Sequence, residues 1–192
     1  MRKIIIIAAL LMMTISINSC QKAKDTPVAG VIITPVENMY SRADDQADVV
    51  SQALLGTTIK ILKSEKTTGR QVWYQVETPD TYQGWVSGRA LRLYAPDEKP
   101  YAAEGQVMEI TSLMAYIYAE PDVTKQKPLL FAPISSVLVL DKYEGRWGQV
   151  ILPDNRRAHI QMGDGQVRQA PFQRPRQSPE QMVKLARRFL GL

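Results

Sequence analysis

The sequence predicts an all-β protein, built as two small barrels in tandem with an amphipathic helix at the C-terminal end. Twelve prolines and eleven glycines are spread along the 192 residues, a distribution that favours short strands and turns over a helical bundle. Hydrophobic residues make up 45% of the chain, which is typical of a folded protein. A pattern that occurs twice predicts two copies of one unit. Closing the roughly five or six strands of each unit into a barrel would remove the sheet edges that promote aggregation.

The N-terminal residues 1–19 predict an export signal. Arg2 and Lys3 precede an uninterrupted apolar run over residues 4–13, which is the charged and apolar layout of secretion signals. The run is shorter than the roughly 20 apolar residues of a membrane-spanning helix. We therefore expect this segment to direct export and then to be removed.

The segment that ends this signal resembles the lipobox of bacterial lipoproteins. Residues 17–20 end in Cys20, the position that carries diacylglycerol in such proteins, although Asn18 is unusual there. The resemblance implies that Cys20 is the lipidation site and that residues 20–30 are a polar tether. Acyl chains contribute about 0.8 kcal/mol per buried CH₂ to such a membrane anchor. Because Gln21 is not the aspartate associated with inner-membrane retention, we expect a cell-envelope location on the outer membrane, at its periplasmic face or surface.

The two halves of the chain share one spaced pattern. It reads Trp73, Gln75, Val76, Pro79, Asp80 and Trp85 in the first half, and Trp147, Gln149, Val150, Pro153, Asp154 and His159 in the second. Around it lie short segments rich in β-branched and aromatic residues, bounded by Asp, Asn, Gly and Pro, which predict strands and hairpins. The predicted domains are residues 31–95 and 106–169, joined by a linker over residues 96–105 and followed by a linker and helix over residues 170–192.

The ordered motifs of the first half resemble a bacterial SH3 (SH3b) domain. The motifs are Asn38-Met-Tyr-Ser, Trp73-Tyr-Gln-Val and Thr78-Pro-Asp-Thr-Tyr-Gln-Gly-Trp-Val. They are similar to the SH3b region of γ-D-glutamyl-L-diamino acid endopeptidases (dipeptidyl-peptidase VI), NlpC-type cysteine peptidases of Bacteroides-like bacteria and bacilli. The second half, with Tyr118 and Trp147, resembles their second SH3b domain. The resemblance implies two SH3-like barrels that recognise the peptidoglycan stem peptide L-Ala-γ-D-Glu-diamino acid.

Residues 178–190 predict one amphipathic helix. Ser178 is a favoured N-cap and Pro179 a favoured first helical residue. The apolar stripe consists of Met182, Leu185, Ala186, Phe189 and Leu190. In the family that the chain resembles, this helix opens the peptidase domain. The resemblance therefore implies that residues 178–190 contact a catalytic NlpC-type domain.

The chain has a single cysteine, Cys20, and a single histidine, His159. These counts exclude an internal disulfide and a Cys/His metal cluster, and we expect neither a metal nor a cofactor. His159 stands where the SH3b pattern usually has Trp, and we expect a strand residue rather than a catalyst. The 192 residues contain no catalytic Cys and His of the NlpC type. We therefore expect no enzymatic activity from this chain, whereas a longer gene product would be such a peptidase.

Nucleic acid is not an expected partner. The formal net charge is +5, which is only mildly basic for an exported protein, and the basic residues do not form a recognisable nucleic-acid module. An anionic cell-wall polymer or a lipid surface is a better counterion for this charge than DNA or RNA, and a basic surface that is simply solvated is favoured over both.

Four residues of the first half are candidate ligand contacts: Tyr82, Tyr40, Trp85 and Asp80. The resemblance implies that an aromatic hydroxyl from the first SH3b domain helps to accept the free N-terminal end of the stem peptide. Tyr82, in a predicted hairpin turn, is the candidate for this role, and an exposed turn tyrosine without a ligand is the alternative. Tyr40, Trp73 and Trp85 either line an aromatic recognition patch or belong to the core. Asp80 either binds an amine or only forms the turn.

Three functions follow from these observations. The favoured one is recognition of the peptide stem, as the non-catalytic targeting region of a peptidoglycan endopeptidase. The second is a stand-alone envelope adaptor that binds muropeptides or protein partners through the region of Tyr40, Tyr82 and Trp85. The third is a fragment whose C-terminal helix exposes its apolar stripe and promotes self-association.

Overall fold

The computed structural model describes residues 28–67, 71–125 and 127–190. Within them, fourteen strands form two antiparallel sheets of seven strands each, and one α-helix follows. The predicted signal over residues 1–19 and the predicted lipidation site Cys20 lie outside the described residues. The predicted all-β fold class with a C-terminal helix is confirmed.

The first sheet is formed by the first half of the chain. Its strands are β1 (Ala29–Ile32), β2 (Val36–Tyr40), β3 (Val49–Leu54), β4 (Thr58–Lys66), β5 (Val72–Glu77), β6 (Gln83–Ser87) and β7 (Leu91–Leu93). Their spatial order is β3-β2-β6-β5-β4-β1-β7. The strands β5 and β6 that carry the Trp pattern therefore lie near the middle of the sheet.

The second sheet repeats this arrangement. Its strands are β8 (Gly105–Ile110), β9 (Met114–Tyr118), β10 (Leu130–Pro133), β11 (Val137–Glu144), β12 (Trp147–Ile151), β13 (Arg157–Gln161) and β14 (Gly165–Ala170). The order β10-β9-β13-β12-β11-β8-β14 matches the first sheet strand for strand. Each sheet has more strands than the five or six expected, because strands as short as β1 and β7 carry too few residues to show a periodic pattern.

Each sheet packs around its own buried core. The first core includes Ile32, Met39, Ile59, Val76 and Val86. The second includes Met108, Ile117, Leu138, Val150 and Ile160. These residues alternate with outward-facing neighbours along their strands, as the two-residue period of a half-buried strand requires.

One residue of the first half lies in the core of the second sheet. Leu55, in the turn between β3 and β4, is 1% exposed and belongs to the second cluster. The next residue, Gly56, has a φ of +83°, and a Cβ there would lie 2.6 Å from the carbonyl oxygen of Val137. A side chain would clash with β11, so glycine permits this close approach. The β3–β4 turn therefore joins the two sheets through a buried apolar contact.

The segment between the two sheets adds a second contact, made by Tyr101. Its hydroxyl donates a hydrogen bond to the Ile151 carbonyl at 2.6 Å and accepts one from the Val139 amide at 3.1 Å. The Tyr101 amide in turn donates to the Tyr94 hydroxyl at 2.8 Å. Burial raises the pKa of Tyr101 above its ordinary value. The predicted linker thus includes a half-buried tyrosine whose hydroxyl bonds to two strands of the second sheet.

We expect Tyr101→Phe to lower the free energy of unfolding by about 1–3 kcal/mol, because the Val139 amide loses its acceptor. The unfolded tyrosine ionises near pH 10, whereas the raised pKa keeps the folded one protonated at that pH. The free energy of unfolding of the wild type therefore falls as pH rises above about 10, and that of Tyr101→Phe falls less steeply. Urea unfolding at pH 7 and at alkaline pH measures both effects. Tyr116→Phe, on an exposed side chain, is the control, and equal effects of the two substitutions would contradict the assignment.

The C-terminal helix α1 spans Pro179–Arg187 and begins as predicted. The Ser178 hydroxyl accepts from the Gln181 amide, and the Gln181 side chain accepts from the Ser178 amide, which forms a capping box. The predicted end at residue 190 is wrong. The amides of Phe189 and Leu190 bond to carbonyls three residues back, which tightens the chain beyond the helix. No helix in the described ranges is long and apolar enough to cross a membrane.

Candidate functional site

The predicted turn between β5 and β6 is closed by hydrogen bonds from Thr78. Its amide donates to the Tyr82 carbonyl at 3.0 Å, and its buried hydroxyl donates to the Asp80 carboxylate at 2.5 Å. Thr81 takes a positive φ of 69° within the turn. One oxygen of Asp80 is therefore engaged in holding the turn, which is the structural role foreseen for this residue.

Tyr82 projects from this turn with its hydroxyl unengaged. The side chain is 57% exposed, and it makes no hydrogen bond or ring contact with any residue that the structure describes. Two carboxylates, those of Glu77 and Asp80, belong to the same hairpin, and Gln83 donates to Glu77 at 2.6 Å. The Lys60 ammonium lies 4.0 Å from the other oxygen of Glu77. The hairpin thus presents one free phenol oxygen, which can accept a hydrogen bond from a donor such as an ammonium group.

The aromatic candidates Tyr40, Trp73 and Trp85 pack on the face of the first sheet that points away from its core. Tyr40 lies opposite Trp85 in the β2–β6 register, and the rings of Tyr40 and Trp73 meet edge to face with centroids 5.8 Å apart. The Lys63 ammonium lies 4.9 Å from the Trp85 ring centre. Trp73 and Trp85 are only 4% and 6% exposed. This surface, which we call the first outer face, is aromatic but closed.

The second sheet carries the same set of side chains. A row across four strands reads Lys63, Gln75, Trp85 and Tyr40 in the first sheet, and Lys142, Gln149, His159 and Tyr118 in the second. The rings of Tyr118 and Trp147 repeat the edge-to-face contact, again at 5.8 Å. We call this surface the second outer face. The two outer faces differ chiefly at one position of the row, where a histidine stands for a tryptophan.

The two lysines of this row were not among the predicted site residues. The register shifts between Ile61 and Lys63 in the first sheet and between Leu140 and Lys142 in the second. Each bulge breaks the alternation of its strand, so counting by twos from the apolar residues misplaces the lysine. The sequence signal that marks both is a Lys-x-Glu triplet, which begins at each lysine.

The second outer face is open where the first is closed. A groove of about 570 Å³ is lined by Lys142, Tyr143, Glu144, Trp147, Gln149 and His159, with Pro121 beside them. The His159 Nδ1 lies 3.0 Å from the Ala119 carbonyl oxygen. Because a carbonyl only accepts, Nδ1 carries the hydrogen of this bond, and Nε2 is left as the acceptor of a neutral ring. His159 thus lines this groove as a residue of β13.

Two arginines of the basic C-terminal region are held by a buried acid. Arg168 and Arg174 donate to Glu109 at 3.1 and 2.5 Å, and Glu109 is 9% exposed. Part of the basic charge is thereby neutralised within the second sheet. Among the residues that the structure describes, no group of three or more His, Cys, Asp or Glu side chains could hold a metal ion.

Comparison with protein families gives one match in the first half of the chain. Residues 35–92 match the family model of the bacterial SH3 domain. The matched segment contains β2 to β6, the turn that carries Tyr82 and the whole first outer face. The candidate residues Tyr40, Asp80, Tyr82 and Trp85 therefore all lie within the matched segment. A sequence comparison with curated proteins gives no match.

The solved structures extend the likeness beyond the SH3 domain. The crystal structure of an NlpC/P60 family protein from Bacillus cereus ATCC 10987 is similar with a TM-score of 0.62 at 18% identity, over 83% of this chain and 62% of that chain. This shows a shared fold, and the chain spans 62% of the length of that protein. NlpC1 from Trichomonas vaginalis aligns at 16% identity over 88% of this chain and 58% of that one, but its TM-score of 0.27 carries no argument.

Proposed function

We propose that this chain is the non-catalytic recognition region of a peptidoglycan γ-D-glutamyl-L-diamino acid endopeptidase, and that it binds the stem peptide L-Ala-γ-D-Glu-diamino acid. The observation that carries the proposal is Tyr82, whose exposed and unengaged hydroxyl projects from the central hairpin of a bacterial SH3 domain. The fold shared with an NlpC/P60 family protein supports the link to such a peptidase.

The hairpin offers what the free end of the stem peptide needs. The terminal L-Ala carries an ammonium group, which donates hydrogen bonds and is attracted by negative charge. The Tyr82 oxygen accepts such a bond, and the Asp80 carboxylate of the same turn supplies negative charge, whereas the Glu77 carboxylate is already paired with Lys60. Tyr40, half-buried on the adjoining first outer face and opposite the buried Trp85, adds an apolar surface for the methyl group of L-Ala. A lipid on Cys20 would keep this site at the cell envelope, on the outer membrane.

We expect Tyr82→Phe to weaken binding of the tripeptide L-Ala-γ-D-Glu-meso-diaminopimelate by about tenfold, since a hydrogen bond to a charged group contributes roughly 1.5 kcal/mol or more. Isothermal titration calorimetry on the full chain measures this change. Tyr116→Phe is the matched control, because Tyr116 is also exposed but lies on β9 of the second sheet. Equal affinity of wild type and Tyr82→Phe would remove Tyr82 from the site.

The helix α1 has the features of a docking element for the catalytic domain. Met182 is exposed on it, and Phe189 and Leu190 are exposed just beyond it. The Arg188 guanidinium donates to the Thr111 carbonyl at 3.1 Å, which ties this end of the chain to the second sheet. A catalytic NlpC-type domain that docked here would remove these apolar side chains from water, which favours the contact. Residues 178–190 are therefore the proposed contact with that domain.

A stand-alone envelope adaptor is the second candidate function. The open groove of the second outer face favours it, because this groove lies on a different sheet from the Tyr82 hairpin and offers a separate binding surface. An immunoblot of the native protein from its envelope fraction distinguishes the two functions. A band near the 21.6 kDa of this chain supports the adaptor, and a band larger by a whole domain supports the peptidase.

A further inference from the structure

The first outer face shows what the shared row of side chains holds. There the indole of Trp85 stands between Tyr40 on β2 and Gln75 on β5, directly opposite both in the strand registers. The Lys63 ammonium lies over its ring at 4.9 Å, a distance at which a cation is attracted to an aromatic face. In the first sheet, Tyr40, Gln75 and Lys63 therefore surround one planar aromatic ring, which is the indole of Trp85.

The second outer face has equivalent surrounding residues, but a smaller ring stands at the position of Trp85. His159 lies between Tyr118 and Gln149 in the same registers, and Lys142 follows Gln149 in the row. An imidazole has one ring where an indole has two. The groove of about 570 Å³ opens at this position, and Trp147 is half-buried, whereas its counterpart Trp73 is 4% exposed.

We propose that this groove binds a planar aromatic ring of indole or phenol size, carried by a peptide segment of a partner protein. The ring takes the place that Trp85 fills in the first sheet. The volume falls within the roughly 300–1,000 Å³ of small-ligand sites. This site lies on the second sheet and takes a different ligand class from the stem peptide, so it goes beyond the proposed function.

The polar groups of the groove fit such a ring. The Lys142 ammonium makes no ion pair or hydrogen bond with any described residue, so it is available for the ring face. The His159 Nε2 is the acceptor of a neutral imidazole, because Nδ1 bonds to the Ala119 carbonyl. An indole N–H or a phenol O–H donates to it. Trp147 offers the apolar surface against which the ring packs.

The test exchanges the one residue that differs between the two outer faces. We expect N-acetyl-L-tryptophanamide, titrated into the full chain and followed by NMR, to bind with a dissociation constant on the order of 1 mM, typical of a single buried ring. His159→Trp fills the groove from within and lowers the affinity at least about tenfold. Trp85→His opens the first outer face and adds a second site.

Two further probes and one variant complete the experiment. Free indole distinguishes a heterocycle from a peptide-borne ring, and the proposal expects N-acetyl-L-tryptophanamide to bind at least as tightly. Lys142→Met, which keeps the unbranched stem but removes the ammonium group, weakens binding without unfolding the protein, as a thermal melt verifies. The proposal is overturned if the wild type shows no shifts up to about 10 mM probe, if His159→Trp binds as well as wild type, or if N-acetylglucosamine binds more tightly than the aromatic probes.

Discussion

Replacement of Leu55 by Ala is expected to destabilise the second sheet, although Leu55 lies in the half of the chain that forms the first. The side chain is 1% exposed and packs in the cluster of Leu138 and Leu152. Loss of a fully buried leucine leaves a cavity and costs about 2–5 kcal/mol. The free energy of unfolding should fall by this amount in urea titrations.

Hydrogen exchange identifies the strands that Leu55→Ala destabilises. We expect faster exchange of amides in β11 and β12, because the vacated space lies in the second core. Leu62→Ala is the matched control, since Leu62 is exposed at the bulge of β4, and it should change stability by less than about 1 kcal/mol. A loss confined to the amides of the first sheet would contradict the shared core.

The two outer faces should respond differently to loss of their central tryptophan. We expect Trp73→Ala to cost about 3–5 kcal/mol, because this ring is 4% exposed and fully packed against Tyr40. Trp147→Ala should cost less, because Trp147 is half-buried at the open groove and still contacts Tyr118.

Thermal and urea unfolding of the two variants, measured side by side, compare the two faces directly. The difference between them is the informative quantity, since both substitutions remove the same atoms from equivalent strand positions. An equal loss would mean that the second outer face is as closed as the first. That result would remove the structural basis of the groove at His159.

The local part of the fold could be predicted from the sequence because it depends on neighbouring residues. The Ser178 cap of α1 is an example, since the Ser178 and Gln181 side chains each accept from a free amide of the helix start and Pro179 has no amide hydrogen to satisfy. The Thr78 to Tyr82 turn is another. Both features use contacts between residues only a few positions apart.

The features that were missed depend on contacts across the chain or on broken alternation. The burial of Leu55 requires the second sheet, which no local pattern in the first half encodes. Lys63 and Lys142 reach the outer faces because each strand carries a bulge, which shifts the two-residue period. The early end of α1 at Arg187 reflects a tightening of the chain that the continuous apolar stripe conceals.

The positions of the candidate residues in the fold could be predicted from the sequence better than their contacts could. Tyr82 is exposed in a turn, as expected, and Asp80 helps to hold that turn. For Tyr40 and Trp85, the choice between core and recognition patch could not be made from the sequence. An aromatic residue in a strand can occupy either face of the sheet, and both faces can bury it. The strand register shows that they share the outer face.

The central proposal is that the segment matching the bacterial SH3 domain binds the peptidoglycan stem through the β5–β6 hairpin. NMR of the isotopically labelled chain, titrated with L-Ala-γ-D-Glu-meso-diaminopimelate, tests it most directly. The account predicts saturable shift changes concentrated at residues 77–85 and at Tyr40, with the amides of the second sheet unchanged. Saturable shifts confined to the second sheet, or no shifts at millimolar peptide, would contradict it.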